Sequence, residues 1–560
     1  MLKDNWFQIN LKESLFLTLG FIILIVNLFY IYLAFIKQYP LTPWDGGMVV
    51  ESWRAANNIP VYENIQDFHA THLYGYLYTY YASYISQIFG FSNYTLRILS
   101  FISFVLSISL IMASLNLVRK NWYLLLGISL IFSVNYQSGN YFIFDRPDAS
   151  ALLYSVISIV FFYIGYERNK WLFILLGTLT ILITFSIKQT YLMVASVPLI
   201  VLFLSFDKKK IFQNVLKRLI PILLFLVYIF ILKIVEPYIP YYMLILPSKY
   251  MIQYDALFYG IYVIVFSSPL FIFLLYEFSI NYKKYYSPKI IWIISAIIIT
   301  IPLSSFTAAK IWGTINSYIP ALISISTFNT YILYKYLAIK KQKSEISISL
   351  TLLLIFLVIC SCFPFLPTQI GSYYSIYISN ILLFIIILMS ILRYFNLHEN
   401  FNKEWLIVNK KYNNYMIIVS VICILLIIII GGSRYIFVIK NEINNHINIV
   451  QRRNLEYSNI INISKDLEGK VISPEDPTIV LYSRWKAERN IYFELDANPI
   501  NGNIPDQLPI YLNRYLLSAD YIIHPKDWWY ERISSEKIQS INFIKVYDSD
   551  YYSVWKNNNK

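Results

Sequence analysis

The chain is poor in glycine (16 of 560 residues), in cysteine (three) and in histidine (five), and only 14% of its residues are charged. Soluble domains carry about 25% charged residues, so the shortage of charge removes the soluble globular classes. Cys360, Cys362 and Cys423 lie within or at the ends of apolar runs. That excludes a disulfide framework or a cysteine-held metal knot and leaves core packing. Internal repeats are absent, as are low-complexity tracts beyond a bias toward Ile, Tyr and Asn. The opening "MLKDNWFQINLKE" lacks a basic n-region with a small-residue cleavage site. Residues 14–36 are therefore expected to remain as a first membrane span rather than to leave as a signal peptide.

What the chain has instead is apolar length, with 57% hydrophobic residues. Runs of about 17–25 such residues each cross a bilayer core as one helix. They occur near 14–36, 95–118, 122–141, 149–166, 171–187, 190–206, 219–235, 256–276, 290–306, 317–334, 347–366, 375–393 and 415–432. The expected fold class is a polytopic α-helical membrane protein of about 13 spans, with a C-terminal α/β extracytoplasmic domain. Residues 1–433 would form the membrane module and 434–560 the tail domain. The tail begins with a polar, helical stretch and continues in strand-like runs, "TIVLYS", "NIYFEL", "ADYIIHP" and "INFIKVYDSDYYSVWK", separated by turn residues.

Charge sets the topology. With the N-terminus inside, the inner loops hold 22 bases and 8 acids, a surplus equal to the whole formal charge of +14. This is the positive-inside asymmetry of an integral membrane protein, here placed in a bacterial plasma (inner) membrane, and gives no reason to invoke nucleic acid. The Tyr-rich segment "HLYGYLYTYYASYISQIFG" (72–90) would invert every later loop if it crossed. It suits the headgroup layer better, as a helix lying in the outer leaflet. Residues 37–94 then form one external loop, with an amphipathic helix around 46–58.

On the outer side a set of polar residues gathers: Asp45 and Glu51 in "PWDGGMVVESW", Asp145, Arg146 and Asp148 in "FDRPDAS", Lys188 and Gln189 in "IKQT", and Lys310, Asn316 and Tyr318 in "KIWGTINSY". Ionisable groups at membrane depth face a cavity or one another. Each has a plainer reading: Asp45 as a helix N-cap, "DRPD" as a salt-bridged turn whose Pro147 opens the next helix, Lys188 as a snorkelling side chain. Their common side is what lifts the set. Carboxylates beside cations suit group transfer from a phosphate carrier, the carboxylate taking the proton of an attacking hydroxyl and Arg or Lys holding the phosphate that leaves. Acids so grouped also suit a divalent ion (Mg, Mn or Zn), with Asp148 and the His69/His72 pair near Asp67 as candidate ligands.

In order and spacing these elements resemble the GT-C superfamily, in its polyprenyl-phosphate-sugar-dependent branch of protein O-mannosyltransferases and lipid A aminoarabinose transferase. The similar features are the acidic first external loop, "FGFSNYTLR" with Arg97, "DRPD", "IKQT", "KIWGTIN" and, in the tail, "SPEDP" (473–477). The resemblance implies a glycosyltransferase moving a sugar from a lipid-linked donor to a glycan, lipid or protein acceptor. It implies Asp45 as catalytic base, Asp145 and Asp148 as a second acidic site, and Arg146, Lys188 and Lys310 toward the carrier phosphate, with Glu51 supporting. The first loop has Asp45-Gly46 where the protein mannosyltransferases carry an Asp-Glu doublet. Two other classes share this composition. A transporter or flippase for lipid-linked sugars would place its charges near the midplane, often between inverted repeats. A polysaccharide polymerase or ligase would carry its large external segment between spans.

Overall fold

The computed structural model describes residues 11–63, 72–116, 121–204, 211–310, 315–342, 348–362, 447–486, 508–526 and 533–560. The expected spans 375–393 and 415–432, the run "NIYFEL", and Asp67 and His69 lie outside these residues. The described helices are α1 Leu11–Phe35, α2 Pro43–Ala56, α3 Tyr76–Phe89, α4 Asn93–Ser114, α5 Asn121–Phe132, the short α6 Val134–Gln137, α7 Asp148–Glu167, α8 Trp171–Ile187 and α9 Val197–Leu204. They continue with α10 Ile211–Val235, the one-turn pieces α11 Tyr238–Pro240 and α12 Leu246–Ser248 on either side of a π-helical turn, α13 Tyr254–Phe266, α14 Pro269–Ile280, α15 Tyr282–Tyr285, α16 Pro288–Ala308, α17 Ile319–Gln342 and α18 Ile348–Cys362. Four of the described helices are long and apolar enough to cross a membrane, or five if a bent pair is one span.

One expected span is broken, and the boundary between two others is a sharp one. The run 171–206 is split at Lys188, whose backbone is extended (φ −155°, ψ 115°). Gln189–Ser196 then forms a 3-10 helix before α9 resumes. The run 256–276 bends by 77° between α13 and α14. The cause is local: Pro269 has no N–H to continue α13, and Ser268 starts a new helix by accepting the Phe271 N–H at 3.3 Å. Ser287 caps α16 in the same way, ahead of Pro288, at 3.3 Å from the Ile290 N–H.

The Tyr-rich segment is the amphipathic helix α3, which buries Tyr78, Thr79, Ala82, Ser83 and Ser86 and exposes Tyr80, Tyr84, Ile88 and Phe89. Its start is clamped to the end of α8: the Gly75 N–H donates to the Ile187 carbonyl at 3.0 Å. A Cβ on Gly75 would overlap the Ser186 carbonyl, so only glycine permits this approach.

The tail holds a four-stranded sheet of order β1-β2-β4-β3: β1 Val471–Ile472, β2 Tyr521–Pro525, β3 Phe543–Asp548 and β4 Tyr552–Asn557. β1 runs parallel to β2, and β4 is antiparallel to both β2 and β3. Alternation puts Ile522 and Trp555 in one small core and Ile523 and Val554 in another, so each face of the sheet is covered. "ADYIIHP" and the last run supply strands, as expected. "TIVLYS" does not: it is the helix Thr478–Arg484, begun by Pro477 after the "SPED" turn and bringing Ile479 and Val480 together against the sheet.

This tail docks on the turn between α1 and α2. Asn454 accepts the Gln38 N–H at 2.9 Å and donates to the Ile36 carbonyl at 2.8 Å. The Arg453 guanidinium lies 4.4 Å over the Tyr39 ring. At Gly46 a Cβ would meet Pro40, Thr478 and Asp476 at 3.2–3.4 Å. The glycine beside Asp45 is therefore the seat of the tail's turn 476–478.

Candidate active site

Asp45 stands at N3 of α2, not at its N-cap. Thr42 is the N-cap, and Asp45 reaches back to accept the Thr42 N–H at 2.9 Å with Oδ2 and the Thr42 hydroxyl at 2.8 Å with Oδ1. This is the reciprocal half of a capping box, signalled in sequence by the T-x-x-D spacing of Thr42 and Asp45 but missed there. The carboxylate is fully buried. Burial pushes its pKa up, opposed by the Arg146 charge and the Thr42 hydroxyl.

The "DRPD" loop supplies its partner. Arg146 Nε donates to Asp45 Oδ1 at 3.2 Å, and Nη2 to the Thr42 hydroxyl at 2.9 Å. Its guanidinium is held 5.1 Å from both the Trp44 and Tyr141 ring centres, a cation–π sandwich. Asp145, also fully buried, is 3.5 Å from Arg97 Nε. Arg97 in turn donates to the carbonyls of Ala34, Lys37 and Tyr39, fixing the end of α1 to α4. Asp148 opens α7 behind Pro147 and accepts Lys188 Nζ on Oδ1 at 2.5 Å. Lys188 also lies 5.2 Å from the Tyr74 ring. The break that splits 171–206 thus presents Lys188 to Asp148. Three buried acids and three buried bases form three pairs across six points of the chain.

Beside these pairs is a cavity of about 510 Å³. Arg146, Lys188, Gln189, Lys310 and Asn316 line it together, with Trp44, His72 and Tyr74. Leu192, Met193, Met243, Leu303 and Phe306 make the rest of the wall largely apolar. Lys310 comes from another part of the chain, past the end of α16, and donates to the Pro247 carbonyl at 3.0 Å. Burial lowers its pKa. Five of the ten residues expected as catalytic or substrate-binding therefore share one cavity.

Asp45, Asp145 and Asp148 do not line it; they lie behind the cations. Glu51 is buried about two turns along α2, 3.8 Å from Arg54, and does not line it either. Nor does Tyr318 line it; its hydroxyl lies against α13, where a Cβ on Gly260 would be 3.1 Å away. Trp44, Tyr74 and Tyr141 were not singled out in the sequence, because 51 tyrosines and 12 tryptophans give no local contrast.

The metal candidates fare differently. His72 accepts the Tyr74 N–H on Nδ1 at 3.2 Å, which leaves the proton on Nε2, 2.7 Å from the Thr79 hydroxyl. Both ring nitrogens are thus engaged. Asp148 faces Lys188. Among the described residues no group of three or more His, Cys, Asp or Glu side chains could hold a metal ion. Asp45, Asp145 and Asp148 each face an organic cation, Arg146, Arg97 and Lys188 respectively.

Four described helices of spanning length, or five if the bent pair is one span, make this an integral membrane protein with a small sheet in its tail. Among solved structures the chain is similar to ArnT from Cupriavidus metallidurans in the apo state, at 12% identity and a TM-score of 0.50, over 96% of this chain and 98% of that one. ArnT from the same organism bound to undecaprenyl phosphate is similar at 12% identity and a TM-score of 0.48, over 97% of each chain. No family model matches the chain, and no curated protein sequence matches it.

Proposed function

We propose that the protein is a membrane glycosyltransferase that moves a sugar from a polyprenyl-monophosphate carrier to an acceptor hydroxyl at the outer face of the membrane. The observation that carries this reading is the convergence of Arg146, Lys188 and Lys310 on one largely apolar cavity. Cations among the lining residues suit a phosphate, and the apolar remainder of the wall suits its lipid chain. Asp45 is the general base. The C1–O bond to phosphate breaks with its electron pair going to the phosphate oxygen, the acceptor oxygen bonds to C1, and the acceptor proton passes to Asp45. Arg146 and Lys188 meet the charge that develops on the leaving phosphate. A transporter needs cations but no carboxylate seated by a capping box against one of them.

Asp45→Asn keeps the size of the side chain and its contact with the Thr42 N–H. In proteoliposomes fed a polyprenyl-phosphate sugar, it should insert normally and transfer no sugar. Normal turnover by the folded variant would end this mechanism. The topology proposed with it, N-terminus cytoplasmic and residues 434–560 extracytoplasmic, rests on the loop charges. A reporter fused after residue 433 should read extracytoplasmic; a cytoplasmic signal puts the site on the wrong side for an outer-face donor.

A further inference from the structure

Arg146 and Lys188 each face two ways. Both line the cavity, and each is bound from behind by a carboxylate that does not line it: Arg146 by Asp45 at 3.2 Å and Lys188 by Asp148 at 2.5 Å. Neither cation is saturated. Arg146 uses Nε and Nη2, while Nη1 has no hydrogen bond among the described residues; Lys188 gives one hydrogen bond, to Asp148. Asp148 likewise keeps Oδ2 without a hydrogen-bond partner among the described residues.

The buried cluster is neutral: Asp45, Asp145 and Asp148 balance Arg97, Arg146 and Lys188, all at most 6% exposed. Lys310, which lines the same cavity, adds one positive charge. A lipid-phosphate sugar is a diester with one negative charge, which Lys310 balances. The monoester left after transfer carries roughly 1.5–2 negative charges. That second charge appears in the same step that sends the acceptor proton to Asp45, and the proton removes the negative counterion of Arg146.

We propose that Asp45 and Asp148 compete with the lipid phosphate for Arg146 and Lys188, so that the guanidinium given up by Asp45 is the group that holds the newly formed monoester. This rests on the glycosyl-transfer reading and adds to it a coupling of proton acceptance to carrier retention. Movement of Arg146 onto the phosphate also uncovers the Asp45 carboxylate that it now screens from the cavity. A carboxylate that merely positioned Arg146 makes the opposite prediction: removing its charge would weaken phosphate binding.

The test is a binding measurement on the full-length protein in detergent, with undecaprenyl monophosphate as probe and undecaprenol as the uncharged control. Asp45→Asn and Asp148→Asn should each bind the monophosphate about tenfold tighter than the parent, a typical size for coupled sites, with undecaprenol binding unchanged. Equal or weaker binding by the folded variants overturns the competition and leaves the transferase reading standing. A parent protein that does not prefer the monophosphate to undecaprenol overturns the transferase reading itself. Should Asp45→Asn lose its cooperative thermal transition, Asp148→Asn carries the same comparison at Lys188.

Discussion

The two walls of the cavity are built on different principles. On one, Arg146 and Lys188 are each fixed by a buried carboxylate and by aromatic rings. On the other, Lys310 is half-buried, lies 5.6 Å from the Phe306 ring centre and donates to the Pro247 carbonyl, with no carboxylate in ion-pair reach among the described residues. A buried charge that loses its partner is strongly destabilising, whereas a cation held by a carbonyl leaves little behind when removed. The paired wall fixes geometry at a risk to stability. The unpaired wall contributes net charge and little rigidity.

The sharpest way to break this comparison is to delete one cation from each wall. Arg146→Ala should lower the turnover of sugar transfer by about 10²–10³. It should also cost about 3–5 kcal/mol of stability, because Asp45 is left buried and unpaired. Lys310→Met should reduce turnover by a smaller factor, about tenfold, and shift stability by less than about 1 kcal/mol. Transfer kinetics and thermal melts of the two variants, side by side, check both halves. Equal stability losses would mean that the walls do not differ.

A smaller effect sharpens the contrast from outside the cavity. Asp476, in the tail turn that abuts Gly46, is fully buried, and burial raises its pKa to about 7, against the Thr478 hydrogen bonds. Its folded pKa exceeds the ordinary value of 3.8, so the folded state binds the extra proton. The stabilising contribution is complete below about pH 4 and is lost as pH rises through about 7. Melting temperature should fall between pH 5 and pH 8, and Asp476→Asn should flatten that decline. An unchanged slope in the variant would remove Asp476 from the account.

The sequence made the cations legible and left their counterions half hidden. Lys188 and Lys310 stood out because charge at the ends of apolar runs is costly, and both reached the cavity. Asp45 was legible as chemistry, but its place one layer behind Arg146 was not, since pairing across 101 positions leaves no local spacing to read. Thr42 was readable and overlooked. The separate spans 171–187 and 190–206 marked where the chain would break, but not that it would resume as a 3-10 helix. "TIVLYS" has the β-branched composition of a strand; packing against the sheet makes it a helix.

Gly46 sets an order of events. Its missing Cβ leaves room for Asp476 and Thr478, residues more than 400 positions later in the chain. Synthesis runs from the N-terminus, so α2 and its carboxylate are made long before the turn that packs against them. The first turn of α2 is made before the tail residues that cover it, the turn 476–478 against Gly46 and the later core on which Trp44 packs. A product truncated before residue 476 would contain Arg146, Lys188, Lys310 and the three acids of the cluster, but would lack the turn that packs against Gly46, next to Asp45.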